Sequence, residues 1–267
     1  MSGTISEIGL LDDEEIELDL AALALSEADH DGVEIDLYLA ALEGFEDRLR
    51  LIGAEAETPE AQAIALARLF YMENGFLGDA ASYDAPLNAD LIRVLDRKRG
   101  LPVSLSILYV AMARRLGWAA YVLNTPGHVL VRVGDDGFVV IDPFHGGVRV
   151  GEAEIGALIR KYAGPDARFL PEYLQPVPNR TILIRLLQNQ ASRAEAAKDP
   201  QRALALYSRM SQIAPGYPDV WWQLARLQLH LHDIAGARHS LLAMLEVTRD
   251  PIRRRQVQLA LQTIEPD

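Results

Sequence analysis

The chain has 267 residues, 49% of them apolar and 24% charged, with a formal net charge of −12 and no cysteine. It is long enough for one large or two small domains around a full core, and its composition is neither disordered nor fibrous. The missing cysteines exclude disulfides, thiolate zinc sites, iron–sulfur clusters and every mechanism built on a thiol nucleophile.

The acidity is local. Residues 1–50 carry 15 Asp or Glu against Arg48 and Arg50, a balance of −13, while the remainder is nearly neutral at +1. Phosphate recognition needs clustered Lys and Arg. The two dense basic runs, Arg97-Lys98-Arg99 and Arg253-Arg254-Arg255, read as solvated helix faces, so no nucleic-acid partner is expected. No basic stretch leads into an apolar start, and no apolar run reaches the roughly 18–20 residues of a membrane span. The expectation is a cytoplasmic protein with no membrane partner.

Helical periodicity dominates the first hundred residues. Asp12 to Leu25 mixes acids with Leu and Ala, and Ile35 to Leu51 places Leu39, Leu42, Phe45 and Leu49 at helical spacing. Thr58 followed by Pro59 reads as an N-cap and first helical residue, opening a helix with Ile64, Leu66, Leu69 and Phe70. Asn74 to Asn88, rich in Gly, Asp, Ser, Pro and Asn, reads as an irregular loop. A helix over Ala89 to Lys98 is expected to end at Gly100, and Pro102 starts the most apolar helix, Val103 to Leu116, closed by Gly117. Strand-like runs follow at Ala119–Leu123, His128–Val133 and Phe138–Ile141, the last two joined by Gly134-Asp-Asp-Gly137 as a hairpin. The fold class expected is α+β, mostly helical with a small antiparallel sheet. Pro165, Pro171, Pro176 and Pro178 mark a linker, after which the chain is helical again. There Ala203, Tyr207 and Pro215 recur as Ala237, Leu241 and Arg249 at an offset of 34, the period of tetratricopeptide repeats. The domains expected are an acidic segment 1–30, a core 31–163, a linker 164–180 and a repeat region 181–267.

The chemistry gathers on the hairpin. With its turn near Asp135 and Asp136, position 128 faces 142, 130 faces 140 and 132 faces 138. Residues opposite each other in an antiparallel pair share a face, so His128 and Asp142 come within hydrogen-bond reach. A carboxylate that fixes a histidine tautomer is the back half of a nucleophilic triad; it can equally be a structural pair closing a small sheet. Gly127 and Pro143, beside the two, point to special local backbone. His128, His145 and Asp142 also offer the imidazole and carboxylate that suit zinc. They lack tight ligand spacing on a helix, and His145 in its Phe-His-Gly-Gly turn reads as a surface residue, so neither a metal nor a cofactor is expected. His230, His232 and His239 read as solvated.

The segments Arg99-Gly-Leu-Pro-Val-Ser-Leu-Ser-Ile-Leu-Tyr109, Arg114-Arg-Leu-Gly117, Thr125-Pro-Gly-His-Val-Leu-Val-Arg132 and Ile141-Asp-Pro-Phe-His-Gly-Gly147 together resemble the transglutaminase-like core of the bacterial SirB family. The resemblance runs from about Asp36 to about Ile264 and implies a transglutaminase-like, papain-like core followed by tetratricopeptide repeats. It matches His128 and Asp142 to the histidine and aspartate of a Cys-His-Asp triad. The thiol departs from the pattern. Its place at the start of the helix, where the dipole lowers a thiol's pKa, falls on Pro102, or on Val103 or Ser104 if the register slips.

Two functional readings follow. One is a non-catalytic transglutaminase-like protein that binds a protein or peptide partner, with Trp222 and Gln228 on the repeats and Asn88 in the core as candidate contacts; the neighbouring Trp221 reads as packing between repeat helices. The other is a hydrolase or acyl-transferase in which Ser104, His128 and Asp142 replace the thiol triad.

Overall fold

The computed structural model describes residues 5–264. Its helices are α1 (Ile5–Ile8), α2 (Leu18–Glu27), α3 (Ile35–Ile52), α4 (Pro59–Ala67), α5 (Leu91–Arg97), α6 (Pro102–Arg115), α7 (Glu152–Ala163), α8 (Asn179–Ala196), α9 (Pro200–Ile213), α10 (Pro218–His230), α11 (Ile234–Val247) and α12 (Pro251–Ile264). Its strands are β1 (Leu77–Gly78), β2 (Arg99–Gly100), β3 (Ala120–Thr125), β4 (His128–Val133), β5 (Val139–Asp142) and β6 (Val148–Arg149). Residues 13–183 form one compact unit, and residues 5–12 group with 184–264 in a second. Among the described residues no helix is long and apolar enough to cross a membrane.

The first unit is built around α6. Every residue from Pro102 to Ala113 is buried, as expected of a helix that is apolar on all sides. Proline at its first position supplies a preset φ and lacks only an N–H that would have no helical partner. Beside it Phe70 stacks on Tyr109 at 4.6 Å and meets Phe45 and Phe76 edge-on. Thr58 Oγ1 caps α4 by accepting from Ala61 N, and Asp90 caps α5 by accepting from Arg93 N. Residues 18–27 of the acidic segment join this core. Leu18, Leu23 and Leu25 of α2 are buried, and Asp19 accepts two hydrogen bonds from Arg115.

Several sequence expectations need correction. Gly100 does not cap α5; Lys98 does so in the left-handed region at φ 56°, and Gly100 pairs in a short parallel ladder, Gly78 opposite Gly100. Arg97 is not a solvated face, because its guanidinium reaches Asp79 Oδ2 at 2.8 Å and Asn88 Oδ1 at 2.9 Å. Helix α7 was not anticipated: Glu154 Oε2 accepts from Gly151 N at its start, and Ile155 and Ile159 pack with Leu123, Leu130 and Val140. The linker residues are partly structured, with Val177 N donating to Val122 O along β3.

The four-stranded sheet runs β3-β4-β5-β6, all antiparallel. Its β4–β5 register places Val131 opposite Ile141, Arg132 opposite Val140 and Val133 opposite Val139. That is two residues from the expected pairing of 128 with 142, because Phe138 belongs to the connecting loop rather than to the strand. A shift of two preserves which face each side chain occupies, so His128 and Asp142 still share a face, now as diagonal neighbours.

In the second unit the 34-residue period extends into the backbone. Lys198 and His232 both adopt positive φ, at 59° and 61°. The next residues, Asp199 and Asp233, both cap the following helix by accepting from Arg202 N and Gly236 N at 2.9 Å. Ala203 and Ala237 are fully buried, as are Tyr207 and Leu241.

The Arg115–Asp19 pair yields a stability prediction. Arg115→Ala leaves the Asp19 carboxylate buried without its cation, a change that costs about 3 kcal/mol. Urea unfolding monitored by circular dichroism measures it, and a loss below about 0.5 kcal/mol would refute a structural role for the pair.

Candidate functional site

Asp142 ends β5 as a buried carboxylate, and the chain that follows wraps around it. Its Oδ1 accepts from Phe144 N at 2.9 Å, capping the short turn Pro143–His145. Pro143 opens that turn and Gly146, at φ 78°, closes it in the left-handed region. The turn carries His145 back so that its Nδ1 lies 2.7 Å from Asp142 Oδ2. From β4, His128 Nε2 reaches the same oxygen at 2.8 Å. One carboxylate oxygen therefore holds two imidazoles.

The pair is unevenly exposed. His128 and Asp142 side chains are 7% and 6% accessible, whereas His145 is 62% accessible, so solvent reaches the cluster from the His145 side. Gly127 has φ 70°, and a Cβ there would run into the Tyr162 ring. Burial pushes the Asp142 carboxyl up, but the hydrogen bond and charge of His128, followed by those of His145, outweigh it and hold the group below the usual carboxylate range. The Tyr109 phenol is pushed well up, first by burial and then by the charge of Asp142.

The start of α6 is arranged differently from a nucleophile site. Pro102 is the first residue of the helix and is buried. Ser104 is fully buried, and its Oγ donates to the Asn88 carbonyl at 2.7 Å. Among the described residues no hydrogen bond joins Ser104 to His128, so the expected Ser104-His128-Asp142 arrangement is not assembled: the helix turns Ser104 toward the Asn88 loop. Asn88 needs the same correction. It is fully buried; its amide donates to Ser82 O at 2.6 Å, its Oδ1 accepts from Arg97 at 2.9 Å, and its carbonyl also accepts from Leu101 N. Asn88 pins a loop and presents nothing to a ligand.

On the repeats, Trp222 is 37% accessible, whereas Trp221 donates from Nε1 to Pro215 O and lies edge-on to His239. Gln228 is half-buried, with its Oε1 accepting from Ser240 Oγ at 2.7 Å, which ties α10 to α11 rather than leaving the amide open. His230 and His232 are exposed, as expected.

The sequence reading groups His145 with His128 and Asp142 and then sets it aside as a surface residue; the structure bonds it to Asp142 while its side chain stays 62% accessible. The signal was available: an aspartate capping its own Asp-Pro-Phe-His turn puts the third following side chain beside the carboxylate.

Two measurements test this geometry. Ser104→Ala removes one hydrogen bond from a buried carbonyl that keeps the Leu101 N donor, so stability falls by about 1 kcal/mol; a more stable variant would contradict the assigned bond. Because the folded pKa of Asp142 is lowered, its contribution is present above the unfolded carboxylate value of about 4 and is lost as pH falls through the folded value. The stability gap between the wild type and Asp142→Asn should therefore narrow as pH falls below about 4. A gap independent of pH would show that the carboxylate is not held ionised by its two imidazoles.

The profile of the Transglutaminase-like superfamily matches residues 36–188, and that of the Tetratricopeptide repeat matches residues 194–261. A UPF0162 protein of Xylella fastidiosa (strain 9a5c) is 30% identical over 246 residues, covering 91% of this chain and 88% of that protein. A UPF0162 protein of Vibrio cholerae is 31% identical over 174 residues, 64% of each chain. F-box only protein 21 of Mus musculus is 29% identical over 180 residues, which make up 62% of this chain and 28% of that protein. The superfamily match spans the helix, hairpin and turn that carry His128, Asp142 and His145, and the Xylella likeness spans the core and the repeats together: this chain belongs to the transglutaminase-like superfamily and, within it, to the family of UPF0162 proteins.

Proposed function

We propose that this chain is a non-catalytic, SirB-type member of its superfamily that binds a protein or peptide partner in the cytoplasm. The observation that carries the reading is the start of α6. A buried proline stands where the resemblance puts the thiol, and the nearest hydroxyl donor on that helix, Ser104, is bonded to Asn88 rather than to His128. A histidine–aspartate pair without a nucleophile can orient and polarise but cannot form an acyl intermediate.

Partner binding is supported by the second unit. Tetratricopeptide helices stack into surfaces that receive extended or helical segments of other proteins. The exposed indole of Trp222 is of the type that dominates such contacts. The nearly neutral composition after residue 50 calls for no charged ligand.

A fluorophosphonate probe should leave the wild type unlabelled; labelling that disappears in Ser104→Ala would establish the hydrolase reading instead. Capture from the native cell extract, quantified by mass spectrometry, should retain a defined protein whose recovery falls at least about tenfold in Trp222→Ala, a loss of about 1.4 kcal/mol. Equal recovery by Trp222→Ala and His128→Ala would remove both proposed surfaces.

A further inference from the structure

We propose that His128, Asp142 and His145 form a binding site for a divalent transition cation of the zinc class. The inference goes beyond partner binding and does not depend on it.

Three ligands of two types converge. One ligand atom from each of the three residues lies within 4.8 Å of the others. The two ring nitrogens, His128 Nε2 and His145 Nδ1, already point at one oxygen of Asp142 from 2.8 and 2.7 Å. Zinc bonds imidazole nitrogen and carboxylate oxygen at about 2.0–2.2 Å, which in a tetrahedron separates ligand atoms by about 3.3–3.5 Å. Admitting the ion requires each nitrogen–oxygen gap to open by roughly half an ångström, within reach of a rotation of the Asp142 side chain. The cation replaces the two N–H protons that face Oδ2 in the hydrogen-bonded form, so its binding releases or relocates those protons.

A second observation also points to a ligand. Among the described residues, two buried hydroxyls beside the cluster, Tyr109 Oη and Thr125 Oγ1, have no hydrogen-bond partner. Thr125 is the strand partner of His128 in the β3–β4 register and therefore shares its face. Tyr109 Oη lies 3.0 Å from where a Cβ on Gly147 would stand, two residues beyond His145. Buried hydroxyls are rarely left unsatisfied, and a three-ligand site keeps a fourth position for water, which supplies an acceptor and a donor near them.

The ligand set narrows the cation. With no cysteine, sites built on soft thiolate are excluded. Two imidazoles and one carboxylate suit Zn²⁺ and its neighbours Co²⁺, Ni²⁺ and Fe²⁺ rather than Ca²⁺ or Mg²⁺, which take all-oxygen shells. The accessible His145 side provides the entry path.

The test is calorimetric titration of the full chain with Zn²⁺, and optical titration with Co²⁺, in chelating-free buffer. The wild type should bind one equivalent, and Co²⁺ should give visible bands free of thiolate charge transfer. His145→Ala, whose side chain lies mostly in solvent, should retain its fold and weaken binding by more than the 10–100-fold that changes in outer-shell partners cost. Asp142→Asn should weaken it similarly, and His239→Ala, outside the cluster, should bind as the wild type does. Absence of a one-equivalent site in the wild type, unchanged affinity in His145→Ala, or loss of binding in His239→Ala would each overturn the proposal.

Discussion

The site depends on a single electrostatic constraint, the burial of the Asp142 carboxylate. A charge removed from water costs several kcal/mol unless donors surround it. Here three donors converge: a backbone N–H from Phe144 on Oδ1, and His128 and His145 on Oδ2. Two of the three come from the turn that Asp142 itself caps. The local sequence Asp-Pro-Phe-His-Gly-Gly is thus a device for solvating one carboxylate with its own chain, and β4 contributes only the last partner. That explains why the pair tolerates the two-residue difference in register between β4 and β5. The hydrogen bond asks for a shared face and a reachable oxygen, not for directly opposed strand positions.

The loop before α5 and the start of α6 are held by a second polar network with no thiol in it. Asn88 binds the backbone of its own loop, Arg97, Ser104 and Leu101 N at once, and Arg97 continues to Asp79. Each member satisfies another, so the loop before α5 and the first turn of α6 form one rigid piece. Pro102 fits that piece because a helix start needs no N–H at its first position. A helix N-terminus that favours a thiolate through its dipole serves equally well as a purely structural start.

Long elements with strong periodicity were legible in the sequence. The buried helix α6, the Thr58 cap, the three strands and the 34-residue repeat all follow from spacing alone. What was not legible depends on tertiary partners. Whether Phe138 joins the strand or the loop decides the register, and periodicity is the same in both cases. Ser104 and Asn88 have the residue types of a site, but the partner of each lies 16 positions away in the chain, and only folding shows that they bond each other. Helix α7 was hidden because Gly156 in its interior lowers its apparent propensity, while its stability comes from Ile155 and Ile159 against the sheet. Arg97 was misread for a related reason: a charge run on a helix says nothing of the buried acceptors that one member reaches.

With no cysteine in the chain, His128 has no thiolate to pair with. In a thiolate triad the histidine lies between two anions, the sulfur and the carboxylate, and each supports its protonated form. Among the described residues the only anion bonded to His128 is Asp142, and the same oxygen also serves His145. The second imidazole competes for a charge that a triad reserves for the first. With both rings donating to an ionised carboxylate, their proton-bearing nitrogens face each other across Oδ2, a geometry that suits sharing one acceptor, or one cation, between them. Proton abstraction from a substrate has no such requirement. The arrangement therefore departs from triad chemistry at two points, the missing thiol at the head of α6 and the added histidine after β5, and the second is a property of the turn rather than a consequence of the first.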